Sequence, residues 1–157
     1  MKKLLFVVDP LDQFKVYKDT TFSIMREAQW RGYLIAACLP QDIQWKSGGF
    51  VMATVQQISL TGSQPGWYRV HNTMRMALKD FDAVLMRKDP PFNAEYIYAT
   101  HLLEQAERED GNVVNRPRAL RDHPEKLACW RHLNSDPPCR SNIDPGRIAE
   151  FGISNCG

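Results

Sequence analysis

Short apolar runs alternate along this chain with segments of helical period, and that alternation predicts most of its elements. Leu4 to Val8 is a continuous aliphatic and aromatic run that stops at Asp9-Pro10. Such a run reads as a strand covered on both faces, near residues 3–8. Asp19 or Thr20 then supplies an N-cap, and Phe22, Met25, Ala28 and Gln29 recur at helical spacing as far as Arg31-Gly32. Gly32 suits the position just past the helix end, with Arg26 and Arg31 toward the negative end of the dipole. A second apolar run from Tyr33 predicts a strand near 33–38, so strand, helix and strand begin a βαβ unit.

Residues 43–60 break this rhythm. Ile43-Gln44-Trp45 and Phe50 to Leu60 flank the turn signal Lys46-Ser47-Gly48-Gly49, which predicts an antiparallel hairpin inserted at the sheet edge. Thr61 to Gly66 reads as a loop and Trp67 to Val70 as a short strand, while His71 to Leu78 carries no pattern that assigns it. Ala83 to Met86 gives another buried strand, near 82–87, ended by Pro90 and Pro91, which cannot donate to a ladder. Asn93 caps a helix to about Arg108, whose apolar stripe is Tyr96, Ala99, Leu102, Leu103 and Ala106. Gly111 ends that helix. A strand near 112–114 follows, and Asp122 or His123 starts a further helix with Pro124 in its first turn. The fold class expected is α/β: a mainly parallel sheet with helices on both faces and a β-hairpin insertion.

Composition narrows the function classes. The 157 residues suffice for one domain with a real core, and 43% hydrophobic with 24% charged residues is ordinary for a soluble globular protein. A net charge of +2 without a basic run argues against a nucleic-acid binder. No apolar stretch has the length needed to cross a membrane, and Leu4 to Val8 is too short for a signal sequence, so a cytoplasmic location is expected. Cys38, Cys129, Cys139 and Cys156 form no Cys-x-x-Cys. With His132 they match no zinc spacing, and free thiols in a reducing compartment are expected, with no metal site.

Candidate chemistry collects at strand ends, where open α/β sheets place ligands. Arg87, Lys88 and Asp89 follow the strand near 82–87, and are read either as a ligand edge or as solvated charges. Asp9 ends the first strand and is either a ligand contact or a group bonded to the following turn. Asn115 is a third polar group at such an end. Lys18, where a loop meets a helix N-terminus, is either an anion contact or a solvated lysine. Neither G-x-x-x-x-G-K-[ST] nor G-x-G-x-x-G occurs, which excludes the common independent nucleotide-binding loops.

Longer blocks carry more than these motifs. Met86-Arg87-Lys88-Asp89-Pro90-Pro91-Phe92, Glu95 to Thr100 and Leu103-Glu104 closely resemble the bacterial glutathione synthetase family. So do Val8-Asp9-Pro10, Lys18 to Phe22, Glu27-Ala28-Gln29, Arg31-Gly32-Tyr33, Val114-Asn115, Leu120-Arg121-Asp122 and Glu125-Lys126-Leu127. The resemblance covers 1–127 and is weakest between Asp42 and Leu78. It implies a Rossmann-like domain that precedes ATP-grasp subdomains, in a ligase that joins γ-glutamylcysteine to glycine through an acyl phosphate. ATP and Mg²⁺ are the implied cofactors, and γ-glutamylcysteine, glycine and glutathione the implied small-molecule partners, in a homo-oligomer.

By the same resemblance, Arg87, Lys88, Asp9, Lys18 and Asn115 are the expected substrate-binding residues and Lys126 a nucleotide-phosphate contact; no catalytic residue is assigned. Residues 128–157 are expected to lie outside the family, as a frameshifted or disordered tail, with the chain truncated before the ATP-grasp subdomains and inactive alone. The alternative is a stand-alone α/β binding or assembly module for a small anionic peptide.

Overall fold

Strand β1 (Lys3–Val7) is the middle of the molecule because nothing in Leu4 to Val8 has a polar side chain to satisfy. Leu5, Phe6 and Val7 have no exposed surface. In the computed structural model, which describes residues 1–62, 66–89 and 93–122, helix α1 (Thr20–Trp30) follows. Strands β2 (Leu34–Cys38), β3 (Ile43–Gln44), β4 (Met52–Leu60), β5 (Tyr68–Ala77) and β6 (Ala83–Met86) come next. Helix α2 (Ala94–Arg108), strand β7 (Val113–Val114) and the short helix α3 (Pro117–Asp122) complete the described elements.

The sheet order is β3-β4-β2-β1-β6-β7, with β5 on the far side of β4. β2, β1, β6 and β7 run parallel, in the registers Leu5↔Ala36, Leu5↔Val84 and Leu85↔Val114. Alternation along β1 sends Leu5 and Val7 to one face and Phe6 and Val8 to the other. On the first face the α2 stripe of Tyr96, Ala99, Leu102, Leu103 and Ala106 packs against Leu5, Val7, Val84 and Met86. On the second, Phe22, Met25 and Ala28 of α1 pack against Phe6, Val8, Ile35 and Ala37. Each large side chain so buried contributes about 1.5–3 kcal/mol. The expected α/β architecture, with helices on both faces, is what the chain forms.

Helix boundaries follow local chemistry. The Asp19 side chain accepts from the Thr21 and Phe22 backbone N–H groups, so Asp19 rather than Thr20 is the N-cap of α1. Gly32, at φ +73°, closes the helix while Tyr33 N–H bonds Ala28 C=O at 2.9 Å. Asn93 caps α2 by accepting from Tyr96 N–H. At its other end the left-handed residue is Asp110, φ 67°, and Gly111 has a different task. Gly111 N–H bonds Ala106 C=O, and a Cβ there would come within 2.7 Å of that oxygen.

Two expectations needed correction. The turn over Lys46–Gly49 does join β3 to β4, but β4 is more than an inserted hairpin strand. Its Gln56, Gln57 and Ile58 pair antiparallel with β2, and its other edge pairs along its full length with β5. The short strand expected at Trp67 to Val70 is therefore the start of a ten-residue strand that absorbs most of the unassigned stretch. Arg69 to Thr73 are all exposed, which leaves no alternating apolar signal there. Helix α3 begins at Pro117, a favoured first helical residue. The further helix expected from Asp122 or His123, the strand stop at Pro90 and Pro91, and Lys126 lie outside the described residues.

Candidate substrate-binding edge

The carboxyl ends of β1 and β6 lie side by side, with Val7 paired to Met86. The chain leaves β1 through α1 on one face and reaches β6 on the other side of β1, which makes this gap the crevice that open α/β sheets use for ligands. The ladder runs one step further, as Arg87 N–H donates to Val7 C=O at 2.8 Å. Arg87, Lys88 and Asp89 are thus fixed beside Asp9.

Asp9 holds the second strand end in place. Its Oδ1 lies 2.5 Å from Lys88 Nζ and its Oδ2 accepts Asp89 N–H at 2.9 Å. The lysine side chain is 13% exposed and the carboxylate 28%, so the pair is shielded from water on most sides. The turn-bonding role weighed for Asp9 is replaced by a bond across 79 residues of sequence. Arg87 turns the other way, toward the start of α1. Its Nε donates to Thr21 Oγ1 at 3.2 Å and its Nη2 to Thr20 Oγ1 at 2.7 Å.

A cleft of about 290 Å³ opens among Asp9, Gln13, Phe14, Asp19, Arg87, Lys88 and Asp89. Its third wall, Gln13-Phe14, is held by an aromatic cluster. Trp67 stacks on Phe14 at 5.4 Å and 18°, meets Phe22 edge-on at 81°, and donates from Nε1 to Leu11 C=O at 3.2 Å. Of the expected site residues, the fold brings Asp9, Arg87 and Lys88 together. Asn115 sits at the end of β7 on the same sheet edge, exposed and at φ 66°, outside the cleft lining. Lys18 is exposed with Nζ 5.8 Å from the Tyr17 ring, and it too lies outside the lining.

Sequence reasoning missed Thr20, Thr21, Phe14 and Trp67. The threonines were legible only as capping candidates, since their partner is 66 or 67 residues away.

On the β2 side of Asp9 lies a second, smaller cleft of about 190 Å³, which Asp9, Asp12, Asp42, Cys38 and Tyr68 help to line. Tyr68 Oη donates to Asp12 at 2.8 Å, and that bond, with burial and the Asp12 charge, raises the phenol above its ordinary pKa. Burial, with the Asp42 charge adding, pushes the Cys38 thiol far above its usual value, so Cys38 is a packed, unreactive thiol. Among the described residues no three His, Cys, Asp or Glu side chains are arranged to hold a metal ion, and no helix is long and apolar enough to cross a membrane.

Comparison with known proteins places this geometry. Residues 2–121 match the family described as prokaryotic glutathione synthetase, N-terminal domain. The glutathione synthetase of Ralstonia nicotianae is 46% identical over 149 residues, which is 95% of this chain and 46% of that protein. That of Nitrosomonas europaea is 42% identical over 152 residues, 95% of this chain and 47% of its own length. That of Vibrio cholerae is 45% identical over 127 residues, 81% of this chain and 40% of its own. The first two alignments exceed 127 residues and so run into the segment expected to lie outside the family. The chain spans about half the length of the curated relatives it matches. With the family pattern matched across nearly every described residue, from β1 through α3, this chain belongs to the prokaryotic glutathione synthetase N-terminal domain family.

Proposed function

We propose that this chain supplies the substrate-recognition edge of a ligase that joins γ-glutamylcysteine to glycine with ATP, yielding glutathione. The cleft between β1 and β6 receives the dipeptide, and Arg87 meets its carboxylate. The observation that carries this is how the Arg87 donors are spent. Nε and one Nη2 N–H go to the threonine hydroxyls, which leaves Nη1 and the second Nη2 N–H as a planar fork on the cleft. A carboxylate matches that fork bidentately.

The remaining charges in the cleft refine the substrate class. Lys88 is neutralised by Asp9, and the Asp19 carboxylate is engaged by backbone N–H groups at the start of α1. Arg87 and Asp89 are left as one cation and one anion lining the same space. That pair suits an amino-acid end carrying both an amine and a carboxylate, as the glutamyl end of γ-glutamylcysteine does. ATP would supply the phosphoryl group that activates the dipeptide. The described residues do not fit Mg²⁺, since no group of three metal-binding side chains occurs among them, and no step through metal or nucleotide is assigned to them.

Titration calorimetry of the 157-residue chain with γ-glutamylcysteine, glutathione and glycine tests the reading. Saturable binding of the two glutamyl peptides without ATP-dependent glutathione formation is expected. No heat with either peptide would overturn the proposed cleft, and sustained ATP turnover would overturn the assignment of recognition alone to this chain.

A further inference from the structure

We infer that Thr20 and Thr21 are positioning residues that aim the Arg87 fork into the cleft, an inference that rests on Arg87 being the substrate-carboxylate contact. The two hydroxyls are the only side-chain partners of Arg87 among the described residues, at 2.7 and 3.2 Å. Neither hydroxyl is needed to cap α1, because the Asp19 carboxylate already accepts from Thr21 and Phe22 N–H at 2.7 and 3.4 Å.

The geometry of the guanidinium decides what the pairing does. Nε–H and the nearer Nη2–H form one edge of the planar group, and this edge is the one occupied. Occupying it fixes the plane and turns the opposite, end-on edge outward, where Nη1 has no partner among the described residues. A free arginine carries about 2 kcal/mol of side-chain rotamer entropy, and much of that cost would otherwise fall on ligand binding. The pairing also ties the start of α1 to the end of β6, so both walls of the cleft share one anchor. Thr21 is 4% exposed, which keeps water from competing for Nε.

The test replaces the hydroxyls without changing shape. In the full chain, Thr20→Val with Thr21→Val is compared with Thr20→Ser with Thr21→Ser, and with Arg87→Ala and Arg87→Lys. The readouts are the Arg87 Nε–H resonance and the affinity for glutathione by calorimetry. We expect a distinct, slowly exchanging Arg87 signal in the parent chain and averaging of that signal in the valine pair. Glutathione affinity should fall by about tenfold in the valine pair, with recovery in the serine pair. A merely structural role would shift thermal stability without moving the Arg87 signal.

An unchanged Arg87 signal in the valine pair overturns the inference. Parent-level affinity in the valine pair beside a loss in Arg87→Ala overturns this inference alone. Parent-level affinity in Arg87→Ala overturns the substrate contact itself, and this inference with it. Should the double variant fail to fold, Thr20→Val alone sits at an exposed position and keeps the same readouts.

Discussion

The carboxyl end of β1 separates two clefts built on the same sheet edge, and their charges differ. On the β6 side, Arg87 and Lys88 face Asp9, Asp19 and Asp89 around about 290 Å³. On the β2 side, Asp9, Asp12 and Asp42 line about 190 Å³ with no cationic side chain among them. Asp9 is the shared wall. It neutralises Lys88 on one side and contributes to an all-acid lining on the other. Topology alone would allow a ligand on either flank of β1, so sheet geometry cannot choose between them. Charge does, because a carboxylate entering the β2 side meets like charges and one entering the β6 side meets the Arg87 fork.

The largest effect that would sharpen this contrast is removal of the fork. Arg87→Ala should weaken glutathione binding by about a hundredfold, measured by calorimetry, since a bidentate charged contact is lost. Its melting temperature should change little. Retained affinity would break the comparison at its root. Next comes the shared wall. Asp9→Ala leaves Lys88 Nζ and Asp89 N–H without their acceptor, at a cost of about 1–3 kcal/mol in chemical denaturation. Asp9→Asn should cost less, because an amide oxygen can still accept from Asp89 N–H. Equal losses in the two variants would show that the charge on Asp9, rather than its hydrogen bonding, holds the edge.

How much of this was legible beforehand depends on distance along the chain. β1, β2, β6 and the α2 stripe were legible because burial on both faces, or on one helical face, writes its own period into the residues. β5 was not, since Arg69 to Thr73 face water and their pairing to β4 is carried by backbone groups that every sequence possesses. The same division runs through the site. Arg87, Lys88 and Asp9 could be named from their places at strand ends. What each one touches could not, because Asp9 reaches Lys88 and Thr20 reaches Arg87 across most of the domain. Lys18 and Asn115 were chosen by the same positional argument. Position beside a strand end or helix start says nothing of where a side chain turns, and neither lines the cleft.

Smaller effects probe the acid side. The Asp42 side chain accepts Leu39 N–H at 3.0 Å, so Asp42→Ala should cost about 1 kcal/mol, as lost caps do. Glutathione affinity should stay at the parent level. A loss of affinity would move the ligand to the β2 side and reverse the comparison.

The mildest test is a titration. Tyr68 gives its proton to Asp12, and this bond, together with burial and the nearby charge, makes the folded chain hold that proton more tightly than the unfolded chain does. Below the ordinary tyrosine value of about 10 both states are protonated, so the bond contributes fully, by about 0.5 kcal/mol at an exposed partner. As pH rises past that value the unfolded chain loses the proton first, and stability falls until the folded phenol also ionises. Tyr68→Phe removes this slope. The parent chain should therefore exceed the variant in denaturant midpoint at neutral pH, and its advantage should erode only in alkali. An advantage that is flat with pH would mean that the phenol proton is not shared with Asp12, and that the acid lining of the β2 cleft is weaker than its three carboxylates imply.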